Sequence, residues 1–244
     1  MIDPAPSRHL SSTPFSRARP RHLAAMKKDP RSDEALYQAH RDGDRSAGAH
    51  LYDRYFLSIR AFFINRVADP ASWDDLAQKT FMTVLYDAAN FRGASTFQSY
   101  MFGVARHILL ADYRKRKNHA ARHALSDAEI EDLPVADIGK GNSTLAAERA
   151  EVQRLINALR QIPIKHQAVF ELYYWQDLPA SEIAKIQDVP LGTVRGRLRL
   201  AKKALLDKLG LQRGTFGELL RSFRSVEAWA LEVRAQLAGE GELG

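Results

Sequence analysis

Leu178-Pro-Ala-Ser-Glu-Ile-Ala-Lys-Ile-Gln-Asp-Val-Pro-Leu-Gly-Thr-Val-Arg-Gly-Arg-Leu-Arg-Leu-Ala-Lys-Lys-Ala204 is the stretch that decides the fold. Pro179 opens a short helix holding Glu182, Ile183 and Ala184; a tight turn with Gly192 and then a long basic helix follow. This is the pattern of a helix-turn-helix. At about 100° per residue, Val194, Leu198, Ala201 and Leu205 fall on one stripe, the side that packs inward. Arg195, Arg199 and Lys202 share a second stripe, with Arg197 and Lys203 flanking it. An arginine so placed can pair bidentately with guanine in the major groove while its neighbours neutralise phosphates. The alternative is an ordinary solvated helix. Such helices intersperse acids, and this one has none from Thr193 through Leu206.

Outward from that segment, Pro163, Pro179 and Pro190 divide 144–209 into four helices. Beyond Gly210 a further amphipathic stretch, with Phe216, Leu220 and Phe223 among its apolar positions, reads as one more helix. Upstream, Leu51, Tyr55, Ile59, Phe62, Phe63 and Val67 make a helical stripe broken at Asp69-Pro70. A second helix is expected from Ser72, as its cap, to about Ala89. A third is expected from Ser95 or Thr96, carrying Phe97, Met101, Val104 and Ile108 inward. No sustained period-two alternation signals a strand. The fold class is therefore all-α: two small helical domains joined by a flexible linker, plus a C-terminal extra helix. The expected boundaries are a disordered tail over 1–32, a first domain over 33–118, an acidic linker over 119–147, a helix-turn-helix domain over 148–210 and an extension over 211–244.

Composition points the same way. The 36 Lys and Arg against 29 Asp and Glu leave a charge of +7, which makes a polyanion the expected partner. The absence of Cys excludes disulfide scaffolds, thiolate zinc sites and cysteine nucleophiles, and fits a reducing compartment. No run of about 18 apolar residues occurs, because Arg106 and His107 cut the best candidate, so no membrane insertion is expected. Gly139-Lys-Gly-Asn-Ser-Thr144 lacks the full phosphate-loop pattern and follows no strand. His119 and His123 have no third ligand at fixed spacing. The reading is a protein that is not an enzyme, with no cofactor and no metal.

Two blocks carry a resemblance. Glu182-Ile-Ala184, Gly192-Thr-Val-Arg195 and Arg197-Leu-Arg-Leu-Ala-Lys-Lys-Ala204, with Leu159-Arg-Gln-Ile-Pro163 and Val169-Phe-Glu-Leu-Tyr173 upstream, resemble the promoter-binding C-terminal domain of bacterial sigma-70-type factors of the extracytoplasmic-function subfamily. Trp73-Asp-Asp-Leu-Ala-Gln-Lys-Thr-Phe-Met-Thr-Val84, Phe91-Arg-Gly93, Phe97-Gln-Ser-Tyr100, Val104-Ala-Arg-His107 and Asp112-Tyr-Arg-Lys-Arg-Lys117 are similar to the sigma domain that grips polymerase and opens the promoter. Helix-turn-helix alone would equally suit a transcriptional regulator acting without stable polymerase association. The two blocks in this order favour the sigma factor.

The resemblance implies a cytoplasmic bacterial protein whose partners are core RNA polymerase, promoter DNA and, as is common in the family, an anti-sigma factor. It implies that Asp74, Asp75, Leu76 and Gln78 grip core polymerase, although the helix dipole alone also favours acids in that first turn. It implies that Phe91, Arg92, Thr96, Tyr100, His107, Arg114, Arg116 and Lys117 serve minus-ten recognition and melting, where aromatics stack unpaired bases and cations hold phosphates. Phe97 reads as core, and a solvated helix end is the other reading of Arg114 to Lys117. Thr193, Arg195, Gly196, Arg197, Arg199, Lys202 and Lys203 are implied at the minus-thirty-five element. The chain departs from the family at His107, where an Asn is usual, at the Ser72-Trp-Asp-Asp75 acidic cluster followed by Lys79, and in its long tail. The linker acids Asp127, Glu129, Glu131, Asp132 and Asp137 cannot bind DNA. They fit either a segment that occupies polymerase channels or a solubilising linker.

Overall fold

Short polar side chains start most of the helices in the first half. Ser32 accepts from the Ala35 amide ahead of α1 (Asp33–Arg41), and Asp44 accepts from the Ser46 and Ala47 amides ahead of α2 (Arg45–Ile64). Asp69 caps a single 3-10 turn, Pro70–Ser72, that leads into α3 (Trp73–Tyr86). The Oγ1 of Thr96 accepts from the Ser99 amide at 3.2 Å and so opens α4 (Phe97–Asn118). A short α5 (Asp127–Asp132) precedes α6 (Ala147–Arg160), α7 (Ile164–Tyr174), α8 (Ala180–Gln187) and α9 (Leu191–Leu209). Pro163, Pro179 and Pro190 stand at the N-caps of α7, α8 and α9, as the punctuation of the sequence implies. This computed structural model describes residues 29–86, 91, 93–118, 126–134 and 147–211, and among them every regular element is helical. The expected tail over 1–32 (but for 29–32), the linker's His119 and His123, and the extra C-terminal helix lie outside the described residues.

Local expectations need one addition and three corrections. The chain breaks at Asp42-Gly43-Asp44, where Gly43 at φ 105° separates α1 from α2; no apolar pattern marks that break. Ser72 does not cap α3: its hydroxyl donates to Asp69 Oδ2 and accepts from Arg116 Nη2, each at 2.6 Å. The turn of the helix-turn-helix is made by Asp188 at φ 50°, a conformation that Asp tolerates, while Gly192 lies in the first turn of α9. Part of the expected linker is helical, because Ser126 and Glu129 form a reciprocal capping box and Ile130 is fully buried.

The two helical halves lie against each other. One apolar cluster joins Leu51, Ile59, Phe63, Phe97 and Met101 of the first half to Val169, Leu172, Ile183 and Val194 of the second. A separate cluster of Leu155, Leu159, Phe170, Ala201 and Leu205 sits beneath α6, α7 and α9. Helix α4 is buried on more than one face, with Phe102, Ala105, Leu109, Leu110 and Tyr113 inward as well as Phe97 and Met101, because α3 and α8 both pack on it.

A buried polar network fastens the end of α2 to α7. Fully buried Arg66 pairs through Nη1 with Glu171 Oε2 at 3.0 Å, and Asn65 Nδ2 donates to Glu171 Oε1 at 3.2 Å. Gln167 Nε2 donates to the Asn65 carbonyl at 3.0 Å, and Arg160 Nη2 donates to the Ile64 carbonyl at 2.5 Å. These donors satisfy carbonyls that α2 leaves open at its end. The Arg66 guanidinium also lies 4.0 Å over the Phe62 ring. Burial pushes the Glu171 carboxyl up and the Arg66 guanidinium down, and each pulls the other back toward its ordinary value.

Candidate nucleic-acid interface

The recognition helix α9 presents its cations much as the sequence arranges them. Val194, Ala201 and Leu205 are fully buried, and they turn Thr193, Arg195, Arg199 and Lys203 to solvent, with Lys202 and Gly196 at the edge of that face. Arg197 is the exception. Nearly opposite Arg195 around the helix, it donates to Gln187 Oε1 at 2.6 Å and stands 3.8 Å from Glu131 Oε2.

A second surface runs along α4. Thr96, Tyr100, His107 and Arg114 lie within about 40° of one line down this helix, and His107 is exposed at its middle. At its upper end Phe91 packs on Tyr100 at 5.2 Å and edge-on against Tyr37 at 5.4 Å. Gly93, at φ 73°, allows the chain to turn between Phe91 and the cap at Thr96. Phe97 is fully buried, as its sequence position implies. Tyr37, carried by α1, supports the aromatic pair; no motif in the sequence singled it out. Arg92 and the Lys117 side chain lie outside the described residues.

Arg116 does not join this surface. It points roughly 160° away from Tyr100 and holds Asp112 Oδ2 at 2.7 Å and the Ser72 hydroxyl, which fixes the start of α3. Arg114 is half-exposed and pairs with Asp127 at 3.2 Å. The loop before α4 stays exposed but is tied to α8: the Thr96 amide donates to Glu182 Oε2 at 3.3 Å, and Lys185 Nζ donates to the Ala94 carbonyl at 2.9 Å.

The third surface is on α3. Asp75, Gln78, Lys79, Met82 and Tyr86 form one exposed stripe, with Met82 at 48% and Tyr86 at 68% exposure. Two large apolar groups left in water beside an acid and an amide have the composition of a protein-binding surface. Asp74 is exposed but pairs with Arg60 of α2. Leu76 turns inward, 3% exposed, and anchors the helix to the core; it offers a partner no side-chain surface. Met82 and Tyr86 were legible as the continuation of the Asp75 and Gln78 register by four and eight residues.

Two family profiles match the chain in this order. The profile described as "Sigma-70 region 2" matches residues 51–119 and that described as "Sigma-70, region 4" matches 152–205, together half of the chain. The chain belongs to the sigma-70 family of RNA polymerase sigma factors, in its extracytoplasmic-function branch. It is 27% identical over 186 residues to the RNA polymerase sigma-H factor of Pseudomonas aeruginosa, spanning 71% of this chain and 91% of that protein. It is 29% identical over 183 residues to the ECF RNA polymerase sigma factor SigM of Mycobacterium tuberculosis, spanning 74% and 86%. Its fold is similar to that of the sigma factor RpoE of Bartonella quintana, solved in complex with the anti-sigma factor NepR, with a TM-score of 0.52 at 19% identity over 66% of this chain and 96% of that one. As a sigma factor the chain directs core RNA polymerase to promoters for transcription initiation. Among the described residues of this sigma factor, no helix is long and apolar enough to cross a membrane, and no group of three metal-ligating side chains gathers.

Proposed function

We propose that this sigma factor divides its work between a domain over 33–118 and a domain over 148–210. The first grips core polymerase through the α3 stripe and holds the melted minus-ten strand; the second reads the minus-thirty-five element. Asp75 and Gln78, with Met82 and Tyr86 added to them, face the polymerase, and a basic helical partner fits their charge. Phe91 and Tyr100 receive unstacked bases, with Thr96, His107 and Arg114 along the same face of α4, and Arg92 and Lys117 by their place in the sequence, for base edges and phosphates. Arg195 and Arg199 read base edges in the major groove, while Thr193, Lys202 and Lys203 take phosphates. The protein performs no catalysis of its own, needs no cofactor and works in the bacterial cytoplasm. An anti-sigma protein is its expected regulator.

The observation that carries this reading is the solvent-facing Arg195 and Arg199 stripe on α9, following a region 2 block whose α3 stripe is also open. Run-off transcription with core polymerase alone and with added sigma factor tests it. Promoter-dependent transcripts appear only with the sigma factor. DNA binding without any association with core polymerase would instead make the protein a helix-turn-helix regulator.

A further inference from the structure

Helix α5 carries its acids to the cations of both halves. Glu131, a buried residue, takes Arg106 of α4 through Nη2 at 2.7 Å and Nε at 2.9 Å, and its other oxygen faces Arg197 of α9 at 3.8 Å. One carboxylate thus stands between the helix assigned to promoter melting and the recognition helix. Four residues earlier Asp127 holds Arg114, and Asp132 pairs with Lys165 of α7. The Ser126 capping box and buried Ile130 hold α5 in place, and the Ile164 amide donates to the Leu133 carbonyl at 3.0 Å.

We propose that α5 is an internal restraint on DNA binding: in the free chain Asp127 occupies the position that a phosphate takes at Arg114, and Glu131, held between Arg106 and Arg197, keeps the two halves closed. This rests on the reading of α4 and α9 as DNA surfaces. Geometry requires the closed form to open. The two promoter elements lie more than two duplex turns apart, about 70 Å at roughly 34–36 Å per turn. A folded unit of the size described has a radius of gyration of about 15 Å, too small to reach both. The competition is also unequal, since a tethered acidic segment acts at an effective concentration on the order of millimolar, well above any single promoter. DNA wins only when something else separates the halves, and core polymerase is the partner able to do so.

The full-length protein carrying Asp127→Asn and Glu131→Gln, and a second carrying Asp127→Asn alone, test the inference against the parent. Each is titrated, without polymerase, into a fluorescent mixed-sequence duplex about four helical turns long, and each is assayed for capture by core polymerase. The double variant should bind the duplex about tenfold more tightly, with a steeper salt dependence. The single variant, altered only at a half-exposed side chain, should gain part of that and keep the parent's circular dichroism. Equal duplex affinity of all three proteins overturns the restraint. Loss of core capture by all three overturns the sigma-factor reading instead, while the duplex titration still decides whether α5 screens those cations.

Discussion

Replacing Glu171 by Leu removes the carboxylate that pairs with buried Arg66, the one counter-charge it meets among the described residues. Arg66 then keeps the Phe62 carbonyl at 2.8 Å and the Phe62 ring, but no counter-charge. Asn65 and Gln167 lose the acceptor they share. Breaking one side of a buried ion pair costs about 3 to 5 kcal/mol. In a chain of this length each kcal/mol moves the melting temperature by roughly 2 to 4 °C, so a protein that stayed closed should lose about 6 to 20 °C. The network is only partly satisfied even in the parent: Arg66 Nε and Nη2, Asn65 Oδ1 and Gln167 Oε1 find no partner among the described residues. Separating the halves returns those atoms to water, so part of the cost can be relieved by opening instead of unfolding. Glu171→Leu should therefore give either the full drop in one transition, or a smaller drop together with a larger radius of gyration in X-ray scattering at unchanged helix content. A melting temperature within about 2 °C of the parent and an unchanged radius would refute the reasoning that this pair fastens the halves. Glu171→Gln should fall between, because its amide oxygen still accepts from Asn65 and Gln167 but carries no charge.

Further outcomes follow from single side chains. Arg195→Ala or Arg199→Ala should cost about 1 to 3 kcal/mol at the minus-thirty-five element and relax base preference there, whereas Lys203→Ala should weaken all sequences alike; footprinting on mutated promoters separates the two. Asp75→Lys should abolish capture by core polymerase at unchanged helicity, while Asp74→Asn, which removes only the partner of Arg60, should leave capture near the parent level in the same pull-down. The Asp44 carboxyl is held at about 2, from an ordinary 3.8, first by the Ser46 hydroxyl and then by Arg31. A depressed acid stabilises above its ordinary value and loses that effect as pH falls through its folded one, so the Ser46 and Ala47 amide resonances should shift with a midpoint near 2; a midpoint near 3.8 would contradict the cap.

The helix-turn-helix was legible because Pro179 and Pro190 mark its two helix starts and its apolar period fixes which face of α9 is inward. The same argument failed for α4. A single stripe of Phe97, Met101, Val104 and Ile108 describes a helix packed on one side, and this helix also meets elements on its other faces, so that Phe102, which packs on Phe62 of α2, Ala105 and Leu109 are buried too. Contacts between distant halves leave no local period. Charge signs alone also misplace residues: Arg116, Arg197 and Asp74 read as free surface charges, yet Arg116 is held by an acid one turn away, Arg197 by the Gln187 amide of α8 and Asp74 by Arg60 of α2. Leu76 was assigned to a partner from its place in a motif, and its burial follows from the turn of α3 that carries it away from Asp75 by about 100°.

The closed chain does not hide its surfaces equally, and the difference gives binding an order. The α3 stripe from Asp75 to Tyr86 is open, and so are Arg195 and Arg199. The loop from Ala94 to Thr96 is tied to Glu182 and Lys185 of α8, and Arg106 and Arg114 are held by α5. What is tied down is part of the surface assigned to melted DNA; what is free is the stripe proposed to grip polymerase. A free chain so arranged meets polymerase before it can hold an unpaired strand. The aromatic groups Phe91 and Tyr100, proposed to stack on a single strand without regard to sequence, are only partly exposed in the closed chain. The partly satisfied network at Arg66 makes that opening affordable, because every polar atom it strands in the closed form gains water on release.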